Sequence, residues 1–263
     1  MRMPRAPGTI ARELARLGSA AEFLTRLPLP AAGWEEGRLR LALSWFPLVG
    51  LTVGLAQGLA LAATALLLPP AIAAGLAVAF GLWITGALHE DGLADTADGL
   101  GGAGTPRERA LEIMRDSRLG TYGAAALIVA LGLRWVAFAH LAAAASGAVA
   151  AIAAAGLLSR TALLPLAGLP MARGGGLGVM LAPPEGMALQ GREAASVCLA
   201  GGVAFAILGL VPFFVALMAA ALATLLVAGL ALKRLGGMTG DIFGAAVVAA
   251  ELAVLLALLG AQA

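Results

Sequence analysis

Long apolar stretches alternate with short polar segments along almost the whole chain. A helix that crosses a bilayer needs about 20 apolar residues, and seven stretches reach or approach that length. These stretches predict seven membrane-spanning helices, at 43–68, 72–88, 123–141, 147–165, 194–210, 213–232 and 245–259. Within the first of them, the pattern Gly50-x-x-x-Gly54-x-x-x-Gly58 predicts a groove for close packing against another helix.

The segment 10–23 has a different pattern, because its apolar and basic residues fall on separate sides of a helix. Ile10, Leu14, Leu17 and Phe23 lie near one stripe, and Arg12 and Arg16 lie on another side. This pattern predicts an amphipathic helix that lies along the membrane surface. We therefore expect residues 1–42 to form an N-terminal cytoplasmic segment, and residues 43–263 to form the transmembrane catalytic domain.

The composition agrees with an all-α, polytopic membrane helix bundle. Of the 263 residues, 61% are hydrophobic and 12% are charged, whereas a soluble domain has about 25% charged residues. The single cysteine, Cys198, excludes a disulfide framework. The net charge of +2 is modest, so we expect no nucleic-acid partner. The sequence leaves open whether the protein is a homo-oligomer.

The positions of lysine and arginine predict the orientation, because cytoplasmic loops carry an excess of both. With the N-terminus inside, the inner segments are 1–42, 89–122, 166–193 and 233–244. Of the 17 basic residues, only Arg134 then falls toward the outer half. We therefore predict a multi-pass protein in the lipid bilayer of the cell (inner) membrane, with its active site facing the cytoplasm.

A cluster of acids directly after the second apolar stretch is the best candidate for a chemical site. Three of the five aspartates, Asp91, Asp95 and Asp98, follow an i, i+4, i+7 spacing and so share one face of a helix. Like charges so placed repel unless a cation lies among them, which predicts a divalent metal, Mg²⁺, held by these aspartates and by Glu90. A solvated acidic loop without metal is the alternative. His89 or one of the acids is a candidate proton acceptor, although His89 could equally be a membrane-interface residue.

A basic segment follows the acidic cluster. A glycine-rich stretch that includes Gly99, a candidate substrate-binding residue, is expected to form a loop. A helix is expected from Thr105, its N-cap, to about Arg118. Arg115, Asp116 and Arg118 in this segment are candidate substrate-binding residues, because guanidinium groups match phosphate oxygens well. An ordinary solvated basic loop is the alternative.

Two further glycine-rich inner segments, 173–178 and 236–241, expose backbone amides that can cradle phosphate. The second contains Thr239 and Asp241, which we expect to contribute to substrate binding, although an aspartate at the start of a helix can also be a simple cap. Carboxylates, a divalent metal, arginines and glycine loops on one membrane face together favour phosphoryl transfer.

The chain resembles the cobalamin synthase family, the adenosylcobinamide-GDP ribazoletransferases, along nearly its whole length. Four segments carry the resemblance: Phe23-Leu24-Thr25-Arg26-Leu27-Pro28-Leu29-Pro30, His89 to Leu100, Met114 to Gly123, and Gly237-Met238-Thr239-Gly240-Asp241. The resemblance implies that a ribose hydroxyl of α-ribazole, or of its 5′-phosphate, attacks adenosylcobinamide-GDP and displaces GMP. It also implies magnesium as the metal.

Two other functions remain as alternatives. The acidic stretch partly resembles the motif of CDP-alcohol phosphotransferases, but Asp95 stands where an arginine is expected and the later aspartates of that motif are missing. A membrane transporter would place its site near the bilayer midplane, often between repeated halves. The predicted site lies at the inner face and no clear inverted repeat is visible.

Overall fold

A computed structural model describes residues 8–27, 37–102, 104–144, 147–181 and 191–261. Within these ranges the regular secondary structure is helical, apart from one isolated bridge between Met171 and Met238, and turns or irregular segments connect the helices. The helices are α1 (Thr9–Leu24), α2 (Arg38–Ala42), α3 (Phe46–Ala65), α4 (Pro70–Thr85), α5 (Leu88–Gly101), α6 (Arg107–Ile113), α7 (Thr121–Ala143), α8 (Ala148–Thr161), α9 (Leu163–Leu166), α10 (Leu177–Leu181), α11 (Gly191–Leu208), α12 (Leu210–Leu235) and α13 (Gly240–Gly260).

The predicted membrane helix bundle of about seven spans is confirmed. Among the described residues, six helical stretches are long and apolar enough to cross a bilayer, and the bent pair α4 and α5 makes a seventh if it is counted as one span. The six are Arg38–Ala65, α7, Ala148–Leu166, α11, α12 and α13. Large apolar side chains of α12, among them Leu222, Leu225 and Leu226, remain exposed in the isolated chain, as expected for a surface that faces lipid.

The second predicted span is interrupted. Helix α4 ends at Thr85, and both Gly86 and Ala87 have left-handed backbone angles, with φ of 65° and 57°. The axis turns by 90° between α4 and α5 as a result. A left-handed conformation is strained for Ala87, because its Cβ approaches the following carbonyl. Such strain is typical of functional sites, and here it aims the acidic helix away from α4.

Helix α5 packs against α13 through two glycines. A Cβ added at Gly92 would lie 2.8 Å from the carbonyl oxygen of Asp241, and one added at Gly244 would lie 3.0 Å from the carbonyl oxygen of His89. No larger side chain fits either position without moving a backbone. The glycines therefore bring the acidic face of α5 next to the start of α13.

The predicted glycine groove of the first span is also confirmed. Gly50, Gly54 and Gly58 on α3 face α8, where added Cβ atoms would come within 2.2 to 2.9 Å of backbone atoms. Gly156 of α8 faces Gly50 in the same way, because an added Cβ would lie 2.4 Å from the Gly50 carbonyl oxygen. Small residues of this kind allow two membrane helices to approach at backbone distance.

The N-terminal amphipathic segment is the helix α1. Ile10 and Leu14 on its apolar stripe are 78% and 62% exposed, whereas Ala20 and Leu24 are buried against the bundle. The exposed stripe is consistent with the predicted position on a membrane surface. Residues 28–36, which include the prolines at the end of the first resemblance motif, lie outside the described residues, as do residues 182–190 of the third inner segment.

Two expectations around the acidic cluster are wrong. Helix α5 continues to Gly101, so Gly99 lies in a helix and not in a loop. Pro106 is the N-cap of α6, and that helix ends at Ile113, well before Arg118. The hydroxyl of Thr105 donates to the carbonyl of Gly102, three residues earlier, instead of capping the helix. Arg115, Asp116 and Arg118 are therefore in the irregular connection to α7.

Candidate functional site

The three aspartates of α5 share one face but have different surroundings. Both carboxylate oxygens of Asp98 accept backbone hydrogen bonds, from the amides of Gly120 at 2.7 Å and Gly123 at 2.8 Å. These amides belong to the first turn of α7, whose free N–H groups favour a negative charge. Asp98 therefore caps α7 from a neighbouring helix.

Asp91 and Asp95 lie one turn apart, and neither accepts a hydrogen bond from any residue that the structure describes. Asp91 is exposed and Asp95 is partly buried. Within the described ranges, no three His, Cys, Asp or Glu side chains converge closely enough to hold a metal ion by themselves. Magnesium commonly uses only one or two carboxylates, completed by water and substrate phosphate. Asp91 and Asp95 fit that donor set, and the three-aspartate magnesium site stays a prediction.

Two cavities meet at Asp91. The first, the glycine-loop cavity, has a volume of about 240 Å³ and is lined by Asp91, Arg173, Gly175, Gly176, Thr239 and Asp241, among others. The second, the bend cavity, has a volume of about 680 Å³ and is lined by Arg26, Gly86, Asp91, Asp95, Ser117 and Arg118, among others. Asp95 lines only the second, and Asp241 only the first.

The glycine-loop cavity contains an arginine beside an aspartate. Arg173 donates to Asp241 at 3.2 Å, and the hydroxyl of Thr239 donates to the same carboxylate oxygen at 3.1 Å. Thr239 is also the N-cap of α13 and accepts from the amide of Ile242 at 3.3 Å. The predicted residues Thr239 and Asp241 are thus brought together with Arg173 at the start of a helix.

Backbone contacts hold the glycine loop over this cavity. The amide of Ala172 donates to Met238 at 2.8 Å, and the amide of Met238 donates to Pro170 at 2.7 Å. Arg107 joins the same two segments, because it donates to the carbonyls of Leu235 and Ala172, at 2.6 Å each. Further along the loop, Gly175 and Gly176 have φ of 92° and 85°, angles that only glycine adopts readily. The loop can thus present backbone amides to an anion.

The predicted arginines after the acidic cluster have separate positions. Arg118 lines the bend cavity and pairs with Asp116 through Nη2 and Oδ2 at 2.5 Å. This hydrogen bond from Arg118 lowers the pKa of Asp116 to about 2. Arg115 is exposed, and neither Arg115 nor Asp116 lines either cavity. Gly99 is buried against α6, since an added Cβ would lie 2.7 Å from Met114.

Glu90 belongs to a buried network of ion pairs and also lines the bend cavity. Glu90 accepts from Arg134 at 2.6 Å, Arg134 lies 3.0 Å from Glu251, and Arg160 also pairs with Glu251. All four charged side chains are less than a tenth exposed. Two acids and two arginines balance in charge, as buried ions inside a membrane protein must. Glu90 is therefore engaged in an ion pair with Arg134.

His89 is buried beside this network and also lines the glycine-loop cavity. Its Nδ1 atom has no hydrogen-bond partner among the described residues. The imidazole therefore retains hydrogen-bonding capacity, and its predicted role as a proton acceptor stays a prediction.

Sequence reasoning overlooked Glu251 and assigned no role to Arg134, Arg160 or Arg173. A signal for the first three was present, because an ionisable residue inside an apolar span is expensive and usually has a partner. One acid and two arginines in separate predicted spans should therefore have been matched with each other. Arg173 begins the glycine-rich segment 173–178, but only its contact with Asp241 reveals it as a site residue.

The comparisons with known proteins agree on one family. A family described as cobalamin-5-phosphate synthase matches residues 16–259. A protein from Bradyrhizobium diazoefficiens named adenosylcobinamide-GDP ribazoletransferase is 44% identical over 95% of this chain and 96% of the relative. Proteins of the same name from Sinorhizobium sp and Ralstonia nicotianae are 44% and 43% identical, over 90% and 94% of this chain and 92% and 96% of the relatives. No solved structure matches the chain. The matched range includes every residue that lines the two cavities.

Proposed function

This chain belongs to the cobalamin-5-phosphate synthase family, and from that premise we propose that it acts as an adenosylcobinamide-GDP ribazoletransferase. The substrates are adenosylcobinamide-GDP and α-ribazole or its 5′-phosphate, and the products are GMP and adenosylcobalamin or its 5′-phosphate. The observation that carries the proposal is the position of Asp91, which lines both cavities and accepts no hydrogen bond from the described residues. Two substrates that approach from the two cavities meet at this residue.

The glycine-loop cavity suits the diphosphate of the donor. Arg173, the amides of the glycine loop and the N-terminus of α13 are all groups that bind phosphate oxygens. Arg173 exchanges its contact with Asp241 for the diphosphate, and Thr239 remains within reach as a hydroxyl donor. This arrangement orients the bond to be broken toward Asp91.

The bend cavity binds the acceptor. The ribose hydroxyl oxygen of the acceptor forms a bond to the phosphorus attached to cobinamide, and the bond from that phosphorus to the bridging oxygen breaks as GMP leaves. Asp95 lines this cavity and accepts the hydroxyl proton. Asp91 and Asp95 would hold Mg²⁺, which when bound neutralises the diphosphate. Asp98 instead fixes the end of α5 against α7, so that both carboxylates stay in position.

We further propose that the protein lies in the inner membrane with both cavities open to the cytoplasm. The distribution of basic residues supports this orientation, because the inner segments then carry nearly all of them.

The test is GMP release by the purified protein in lipid nanodiscs. We expect release of GMP in proportion to a corrinoid product when adenosylcobinamide-GDP and α-ribazole 5′-phosphate are both present. A CDP-alcohol phosphotransferase would instead release CMP from CDP-diacylglycerol, and a transporter would move substrate into proteoliposomes without forming GMP. Either of those results without GMP release would overturn the proposal.

A further inference from the structure

Arg26 belongs to the first of the resemblance segments, and no step described so far uses it. It follows α1 directly, and its backbone amide donates to the carbonyl of Ile84, in the last turn of α4, at 2.7 Å. A Cβ added at Gly86 would lie 2.5 Å from Nε of Arg26, so the side chain lies against the glycine at the α4–α5 bend. Arg26 is therefore held at the strained turn that aims the acidic helix.

Arg26 lines the bend cavity together with Asp91 and Asp95. No carboxylate lies within 4.0 Å of it among the residues that the structure describes. The other arginine of this cavity, Arg118, is already engaged by both oxygens of Asp116. Arg26 is thus the cation of the bend cavity that is ready to bind an added anion.

The geometry of phosphoryl transfer determines which substrate this anion belongs to. The attacking oxygen and the leaving oxygen lie roughly in line, on opposite sides of the phosphorus. A GMP that leaves from the glycine-loop cavity requires an acceptor that enters from the other side of Asp91, which is the bend cavity. A phosphorylated acceptor carries about two negative charges, and the carboxylates of Asp91 and Asp95 would repel it without a cation nearby.

We infer that Arg26 is the residue that binds the 5′-phosphate of the acceptor nucleotide, so that its loss weakens binding of the nucleotide and not of the unphosphorylated nucleoside. This inference rests on the proposed function and adds to it a residue that determines specificity. The planar guanidinium offers paired donors that match two phosphate oxygens, whereas a lysine offers only a point charge.

The experiment measures KM and kcat in nanodiscs for Arg26→Gln with two acceptors, α-ribazole 5′-phosphate and α-ribazole. A lost charge-assisted contact predicts a KM for the phosphorylated acceptor that rises about 10- to 100-fold. KM for the nucleoside and for adenosylcobinamide-GDP should stay within about twofold, and Arg26→Lys should be intermediate. Arg12→Gln is the matched control, because Arg12 is exposed on α1 and contacts only Thr9 of its own helix among the described residues.

Equal loss with both acceptors would overturn the inference, because it would mean a structural role at the bend. A rise in KM only for adenosylcobinamide-GDP would also overturn it, because the anion would then belong to the donor. If Arg26→Gln does not fold, Arg26→Lys alone decides between these outcomes. A wild-type protein that releases no GMP with either acceptor refutes the proposed function itself, which is a separate result.

Discussion

Arg134 donates a hydrogen bond of 2.6 Å to Glu90 where α5 begins, within a buried network that also includes Glu251 of α13. About two turns later on α5, Asp98 binds the amides of Gly120 and Gly123 at the start of α7. Helix α5 therefore runs antiparallel to α7 and is fixed to it at both ends. Asp91 and Asp95, which accept no hydrogen bond from the described residues, lie between these two attachments, which keep Asp91 at the junction of the cavities and Asp95 in the bend cavity.

Substitution of Asp95 should lower activity, whereas substitution of Asp98 should lower stability. Asp95→Asn removes a carboxylate that supports no described contact, so we expect unchanged thermal stability and a loss of GMP release of at least about 100-fold, the size expected for a general base. Asp98→Asn keeps one accepting oxygen but turns an NH₂ group toward a backbone amide, which should cost about 1–3 kcal/mol of folding free energy. Unfolding temperature and GMP release of the two purified variants check this. The reverse pattern would assign the chemistry to Asp98.

The buried network should tolerate a balanced change better than an unbalanced one. Glu251→Gln leaves two buried arginines with one acid, and breaking a buried pair typically costs about 3–5 kcal/mol. The double variant Glu251→Gln, Arg160→Gln restores the balance, because Glu90 and Arg134 then remain as a neutral pair. We expect the double variant to unfold at a higher temperature than Glu251→Gln in detergent. Additive destabilisation would show that the charges are not coupled.

Loss of Arg173 should weaken binding of the donor substrate in the glycine-loop cavity. Arg173→Gln removes the guanidinium that lies 3.2 Å from Asp241, and we expect KM for adenosylcobinamide-GDP to rise about 10- to 100-fold, as for a lost charge-assisted hydrogen bond. KM for the acceptor should change little. Arg109→Gln is a suitable control, since Arg109 is exposed and pairs with Glu112 on α6. A larger effect on the acceptor would reverse the assignment of the two cavities.

The approach of α5 to α13 should depend on Gly92. An alanine Cβ there would lie 2.8 Å from the carbonyl oxygen of Asp241, so Gly92→Ala must push the two helices apart. We expect GMP release to fall about tenfold or more, because misplacement by about 1 Å can cost 100-fold in rate. Gly132→Ala on α7 is the control, since its Cβ would meet open space. Equal activity of both variants would mean that the α5–α13 distance does not set the site.

The sequence predicted which residues lie together at the site better than it predicted what each of them contacts. The i, i+4, i+7 spacing put Asp91, Asp95 and Asp98 on one face, because that depends only on helix geometry. The sequence could not show that Asp98 caps α7, because its partners are backbone amides that become neighbours only after folding. The bend at Gly86 and Ala87 was equally hidden, since an alanine gives no sign of a left-handed angle.

We propose that the carboxylate of Asp91, at the junction of the two cavities, acts in the transfer and not in holding the fold. The direct measurement is GMP release by Asp91→Asn in nanodiscs, together with equilibrium binding of adenosylcobinamide-GDP and the unfolding temperature. We predict a folded protein with turnover reduced by at least about 100-fold, because Asp91 supports no described contact and would hold the Mg²⁺ that neutralises the diphosphate. Turnover within threefold of the wild type in the folded variant would contradict it.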